Sequence, residues 1–173
     1  MTIQCTMYKV ANVKVSIKTS PLFLDTVYKN LLEKEFNCIQ HNNFLVLKSE
    51  FTYIIFKTNK KGENHINITK IPSVEKIPEA IRLIQNLTNC LVISETIDNI
   101  IATTNLNRKL NLVDISSRKK FSKIKYNNEK FPGLFVKFNI GTAIIFHSGK
   151  IVIVGSKSIE NIECVLNLIL VSI

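Results

Sequence analysis

Apolar and polar residues alternate with a period of two in many short stretches of this 173-residue chain, and the stretches come in two similar series. Val10-Ala-Asn-Val-Lys-Val-Ser-Ile17 and Ile97-Asp-Asn-Ile-Ile-Ala-Thr-Thr104 both read as strands with asparagine in third place, Asn12 and Asn99, 87 residues apart. Tyr53-Ile-Ile-Phe56 recurs as Ala143-Ile-Ile-Phe146, at a spacing of 90. Between them the period changes to that of a helix. Leu24, Val27, Tyr28 and Leu31 predict a helix from Pro21 to Leu32, with Ser20 as N-cap and Pro21 at the first helical position. Strands are expected at Phe44–Lys48, Thr52–Thr58 and Asn64–Ile71, then a helix from Pro78 to Leu87. The second series predicts a helix at Leu110–Lys120 and strands at Phe135–Ile140, Ala143–Phe146 and Ile151–Val154, the last two turning about Ser148-Gly149. A terminal helix capped by Ser158 would bury Ile159, Ile162, Leu166 and Ile169.

The pattern is a duplication: each half reads β-α-β-β-β-α, with room for one more strand before the last helix, the first over 8–88 and the second over 95–173, both within one compact domain. The expected class is α+β, the halves pairing edge to edge into one curved antiparallel sheet with the helices on its convex face.

Composition narrows the role. Hydrophobic residues make up 46% of the chain, enough for a real core. The net charge of +10 is evenly spread: residues 1–87 hold 12 Lys/Arg against 7 Asp/Glu, and residues 88–173 hold 11 against 6. An anionic partner is implied, nucleic acid before an acidic protein or a membrane surface. Cys5, Cys38, Cys90 and Cys164 are too scattered for a zinc site or a disulfide framework and read as reduced thiols. His41, His65 and His147 share no metal spacing, and no nucleophile–base pair or glycine-rich phosphate loop stands out, so neither an enzyme nor a cofactor or small-molecule substrate is expected. No leader and no membrane span are read from the sequence, and an intracellular setting is expected.

The run Phe131-Pro-Gly-Leu-Phe-Val-Lys137, then Ile144-Ile-Phe-His-Ser-Gly-Lys-Ile-Val-Ile-Val-Gly-Ser-Lys157, carries bulky apolar side chains on the strand face that is ordinarily solvated. With Asn99 to Ile115 and Tyr126 to Phe131, this stretch resembles the TATA-box-binding protein family, nearly continuously over 97–160. Residues 8–87 match in element order and at a few positions. The resemblance implies a two-repeat saddle whose concave sheet meets the DNA minor groove. Asn99 then corresponds to an asparagine that hydrogen-bonds acceptors on the groove floor, with Ile101 and Thr103 on the same face. Phe131 and Phe146 correspond to phenylalanines that wedge between base steps, beside Ile144, Val152 and Val154. Val154 stands where the family often has threonine. Arg118, Lys120, Lys130, Lys137, Lys150 and Lys157 would meet phosphates. In the first half the same correspondence gives Asn12 and Phe56.

The implied function is a transcription initiation factor that binds and bends A·T-rich double-stranded DNA and nucleates promoter assembly. Its partners would be a B-type general initiation factor and RNA polymerase, in a nucleus or, for a viral protein, a cytoplasmic virus factory. The Lys/Asn/Ile-rich composition fits an A·T-rich genome, and together with the short chain and the eroded first half it points to a viral source. The first half departs from the pattern. Lys14 replaces the aliphatic residue equivalent to Ile101, Asn67-Ile-Thr69 is more polar than Val152-Ile-Val154, and His41 or Phe44 falls where Phe131 would be. A second reading is therefore a saddle kept as a protein-interaction module with weakened or lost DNA binding. A third, weaker one is an accessory domain of a nucleic-acid enzyme.

Overall fold

A computed structural model describes residues 7–118, 121 and 123–173. It divides into two compact units, Asn12–Asp98 and the segment up to Ala11 with Asn99–Ile173. In the first, β1 (Lys9–Thr19) is followed by α1 (Leu24–Glu33), β2 (Asn37–Gln40), β3 (Phe44–Lys48), β4 (Thr52–Phe56), β5 (Asn64–Ile71), a short 3-10 turn and α2 (Ile77–Thr88). Hydrogen bonding orders its strands β2-β3-β4-β5-β1, all antiparallel. β6 (Val92–Asn105) then leads into the second unit, with α3 (Leu112–Ser117), β7 (Ile124–Asn127), β8 (Phe131–Phe138), β9 (Gly141–Phe146), β10 (Lys150–Ser156) and α4 (Ile159–Leu170), in the order β6-β10-β9-β8-β7.

Alternation along these strands sorts the side chains onto two faces. Val13, Val15, Ile17, Leu45, Leu47, Tyr53, Ile55, Ile66 and Ile68 are wholly buried with Leu31 and Ile84 of the helices. The Tyr53 hydroxyl donates to the Ala80 carbonyl at 2.8 Å, tying β4 to α2. In the second unit Leu134, Ala143, Ile145, Ile151 and Ile153 pack with Ile162, Val165 and Ile169. The residues between these, on the opposite face of each sheet, are half-buried or exposed. Among the described residues no helix is long and apolar enough to cross a membrane, and Cys38, Cys90 and Cys164 are free thiols.

Several expected boundaries move, each for a local reason. α1 begins at Leu24 after Phe23, not at Pro21, and Ser20 does not cap it. The Ser20 amide donates to the Leu91 carbonyl, its hydroxyl accepts from the Leu91 amide, and the Leu22 amide donates to Asn64 Oδ1, so the segment is held extended. α3 is six residues long, shorter than the expected helix. Ser116 and Ser117 turn their hydroxyls onto the Val113 and Asp114 carbonyls, a competition that shortens helices. The Ser158 cap forms, its Oγ accepting from the Asn161 amide at 3.2 Å, and Val165 rather than Ile159 joins the buried stripe of α4. The outer strands β2 and β7, four residues each, supply the additional strand that the element order allowed, at residues the pattern did not mark.

Candidate nucleic-acid interface

Register places the expected site residues on the face of the second unit turned away from α4. Val152 pairs with Ile144 and with Thr103, and Ile144 pairs with Phe135, which pairs with Lys125. One row across the sheet is thus Lys125–Phe135–Ile144–Val152–Thr103. A second row joins Lys137, Thr142 and Val154. Gly133 pairs with Phe146, and Phe131 stands two residues earlier on the same face.

The two rings meet there. Phe131 and Phe146 are 6.0 Å apart between centroids at 61°, and Phe131 lies 5.1 Å from Phe135. Phe131 keeps 39% of its surface exposed, a large apolar ring left half bare. The Phe-Pro-Gly sequence has a steric reason. A Cβ on Gly133 would fall 2.6 Å from Phe131 Cε1, 2.9 Å from Ile144 Cγ2 and 3.2 Å from Phe146 Cε1. Glycine is the floor on which both rings sit.

Asn99 is oriented by the backbone. Between Ile153 and Ser156 the pairing of β10 with β6 shifts register, and Gly155 takes a positive φ of 79°. The Gly155 amide donates to Asn99 Oδ1 at 2.6 Å. A backbone N–H can only donate, so the oxygen of Asn99 is fixed on it and Nδ2 remains as the group to offer a partner. The arrangement recurs in the first unit. The pairing of β1 with β5 shifts between Val13 and Val15, Lys70 takes a positive φ of 63°, and its amide donates to Asn12 Oδ1 at 2.8 Å. Sequence spacing found both asparagines. The bulge that turns each into a donor depends on register, which no residue pattern displayed.

The loop after β9 is clamped. Gly149 (φ 88°) bonds through its amide to the Phe146 carbonyl, its own carbonyl accepts from the Leu106 amide, and a Cβ there would meet the Arg108 carbonyl at 2.3 Å. His147 Nδ1 lies 2.8 Å from the Leu110 carbonyl. These contacts hold the strand end that carries Phe146.

Of the expected phosphate contacts, Lys130, Lys137, Lys150 and Lys157 are exposed, and Lys137 is on the ring-bearing face. The guanidinium of Arg118 instead bonds to the Asp114 carboxylate at 2.6 Å and the Ser172 carbonyl at 3.0 Å, beside α3 and the end of α4. Lys120 lies outside the described residues. Sequence reasoning missed Phe135 and Thr142, which line a groove beyond the rings with Ile124, Lys137 and two lysines of the basic run Arg118–Lys125, Lys123 and Lys125. Counting by twos from Phe131 would have found Phe135.

The equivalent face of the first unit differs. Its matching row is Ile39–Val46–Ile54–Asn67–Ser16. Phe56 pairs with Phe44 as Phe146 pairs with Gly133, so a ring fills the place of the glycine. Phe44 lies 6.1 Å from Phe56 and stacks on His41 at 4.4 Å. Toward β1 the surface turns polar. Lys14 Nζ lies 3.2 Å from Asp98 Oδ2, and the Ser16 hydroxyl reaches the same oxygen at 2.5 Å. Partial burial pushes the Asp98 carboxyl upward, but the Ser16 hydroxyl and the Lys14 ammonium outweigh it and hold the group below its ordinary value.

Comparison with known proteins agrees with this geometry. The model of the family described as transcription factor TFIID, or TATA-binding protein, matches residues 94–173. The TATA-box-binding protein of Thermococcus celer is 41% identical over 73 residues, 41% of this chain and 38% of that protein. The chain likewise spans 38% of the Methanothrix thermoacetophila protein, at 40% identity. TATA-box-binding protein 1 of Methanosarcina acetivorans is 28% identical over 170 residues, 90% of this chain and 88% of the relative. The solved structure of the Methanococcus jannaschii protein aligns over 95% of this chain and 97% of its own, with a TM-score of 0.78 and 29% identity. The expected α+β two-repeat fold is therefore the fold of this chain, which resembles TATA-box-binding proteins in sequence over residues 94–173 and in fold over most of its length.

Proposed function

We propose that the chain is a transcription initiation factor that binds A·T-rich double-stranded DNA in the minor groove, bends it, and nucleates assembly with a B-type initiation factor and RNA polymerase. The observation that carries this is the pair Phe131 and Phe146, seated over Gly133 on the face away from α4 and flanked by aliphatic residues. Two rings so placed are suited to wedge between base pairs, at a cost of a few kcal/mol per unstacked step that wider contact with bent DNA offsets. The Nδ2 of Asn99 faces a groove floor where A·T pairs present acceptors alone, and its aliphatic neighbours offer nothing to a guanine amino group. Flexible TA steps deform most readily, which favours A·T-rich sites further. Exposed Lys130, Lys137, Lys150 and Lys157 supply the salt-sensitive part of affinity.

The test is a gel-shift series at several salt concentrations. Wild-type protein should shift an A·T-rich duplex more strongly than a G·C-rich control, and Phe131→Ala with Phe146→Ala should abolish the shift. A second reading, a saddle that serves as a protein-interaction module, is favoured by the Lys14–Asp98 pair on the first unit's face. Equal or absent shifts on both duplexes would select it.

A further inference from the structure

We infer that Asn67 makes the first unit the stricter reader of the minor groove: the donor it presents selects A·T pairs by hydrogen bonding and rejects guanine where the second unit tolerates it. This rests on the proposed minor-groove function and names a residue that sets its specificity.

Asn67 lies between the wholly buried Ile66 and Ile68, so its side chain stands on the open face, where it pairs with Ser16 of β1 and Ile54 of β4. Its Oδ1 accepts from the Ser16 hydroxyl at 2.9 Å and lies 3.0 Å from His65 Nε2, which donates in the Nε2–H form of the ring. Ser16 divides its one proton between this oxygen and Asp98 Oδ2, 2.5 Å away. An amide whose oxygen is held from two sides turns its nitrogen outward, and Asn67 Nδ2 has no partner among the described residues. Asn12 follows the same rule, its Oδ1 taken by the Lys70 amide and its Nδ2 left over. Lys14, two residues further along β1, gives one ammonium proton to Asp98 Oδ2 at 3.2 Å and keeps two. That pairing balances the charge of Asp98, and donors flank Asn67 along the strand.

Donors in this place fit one kind of floor. A·T and T·A pairs show only adenine N3 and thymine O2, both acceptors, whereas a G·C pair adds the guanine 2-amino donor. Against guanine, Asn67 Nδ2 would face N–H with N–H, and both groups would lose their water without replacement. At the matching positions the second unit has Val152 for Asn67 and Ile101 for Lys14. Aliphatic groups gain no bond from an acceptor and oppose an amino group by size alone. The second unit therefore discriminates through Asn99 with less support, and the first unit is the less forgiving half.

The experiment measures affinity of the whole chain by fluorescence anisotropy for a self-complementary A·T duplex, the same duplex with a G·C pair in one half, and one with G·C pairs at the equivalent positions of both halves. Such a duplex can be bound in either orientation, so a one-sided G·C pair falls under the tolerant unit and only the two-sided duplex forces guanine on the first. With losses of about fivefold under the second unit and about a hundredfold under the first, the one-sided duplex should bind about tenfold more weakly and the two-sided one about five hundredfold. Two equal units would instead give the square of the one-sided loss, about a hundredfold. Inosine in place of guanine lacks the 2-amino group and should restore most of the affinity. Asn67→Val should bring the two-sided loss down to the square of the one-sided loss, and Val152→Asn should raise the one-sided loss severalfold. If the wild-type chain binds the A·T duplex but its two-sided loss is that square, if inosine behaves as guanine, or if both variants leave the losses unchanged, the inference is overturned while the proposed function stands. Failure to bind any duplex overturns both.

Discussion

The two units carry one framework and two surfaces. Both have five antiparallel strands in the same order, a bulge on the strand beside β1 or β6, and an asparagine whose oxygen is held by the bulged amide. Across the same rows the second unit shows Phe135, Ile144, Val152 and Thr103, whereas the first shows Val46, Ile54, Asn67 and Ser16. The buried faces remain apolar in both. Divergence is thus concentrated on the face that the core does not constrain: a buried strand position loses stability on any change of volume, while the far face answers to its partner.

The largest expected effect separates the ring pairs. Phe131→Ala with Phe146→Ala should weaken affinity for an A·T-rich duplex at least about a hundredfold, and Phe44→Ala with Phe56→Ala by about tenfold, read by anisotropy titration. Equal losses would mean that the rings of the first unit wedge as well as those of the second.

Next in size is the floor beneath the rings. Gly133→Ala drives a methyl group into Phe131 and Ile144, so it should cost about 1–3 kcal/mol of stability in urea unfolding and also weaken DNA binding. In the first unit Phe44 already fills this place, and Phe44→Gly should weaken the duplex contact without forming a second cradle.

The bulges sharpen the comparison. Gly155→Ala places a Cβ at a φ of 79° and should cost about 1 kcal/mol, whereas Lys70→Gly relieves a non-glycine residue at 63° and should be neutral or stabilising by up to about 1 kcal/mol. Urea denaturation of the two variants should give opposite signs.

The smallest effect is that of pH. The carboxyl of Asp98 is depressed in the folded chain, so its contribution to stability is present above the ordinary carboxylate range and is lost as pH falls through its folded value. Thermal unfolding from pH 6 down to pH 2 should therefore decline more steeply for the wild-type chain than for Asp98→Asn. Identical slopes would show that the Lys14–Ser16–Asp98 contacts do not persist in solution.

Much of this was legible in the sequence, unevenly. The duplicated Asn and Ile-Ile-Phe positions gave the repeat, and Phe131-Pro-Gly gave the ring-bearing strand. The edge strands β2 and β7 were not, because four half-exposed residues show too little alternation to stand out. Lys14 was visible as a departure, but its partner Asp98 lies 84 positions along and adjoins it only through folding. The positive φ at Lys70 had no signal, since lysine does not advertise a left-handed backbone as Gly155 does.

The central claim, that the rings of the second unit enter the base stack of an A·T-rich minor groove, is tested most directly with 2-aminopurine placed at successive steps of an A·T-rich duplex. Fluorescence should rise on binding at the steps that Phe131 and Phe146 enter, and the rise should vanish with Phe131→Ala and Phe146→Ala. A saturated complex with unchanged 2-aminopurine fluorescence at every step would contradict it.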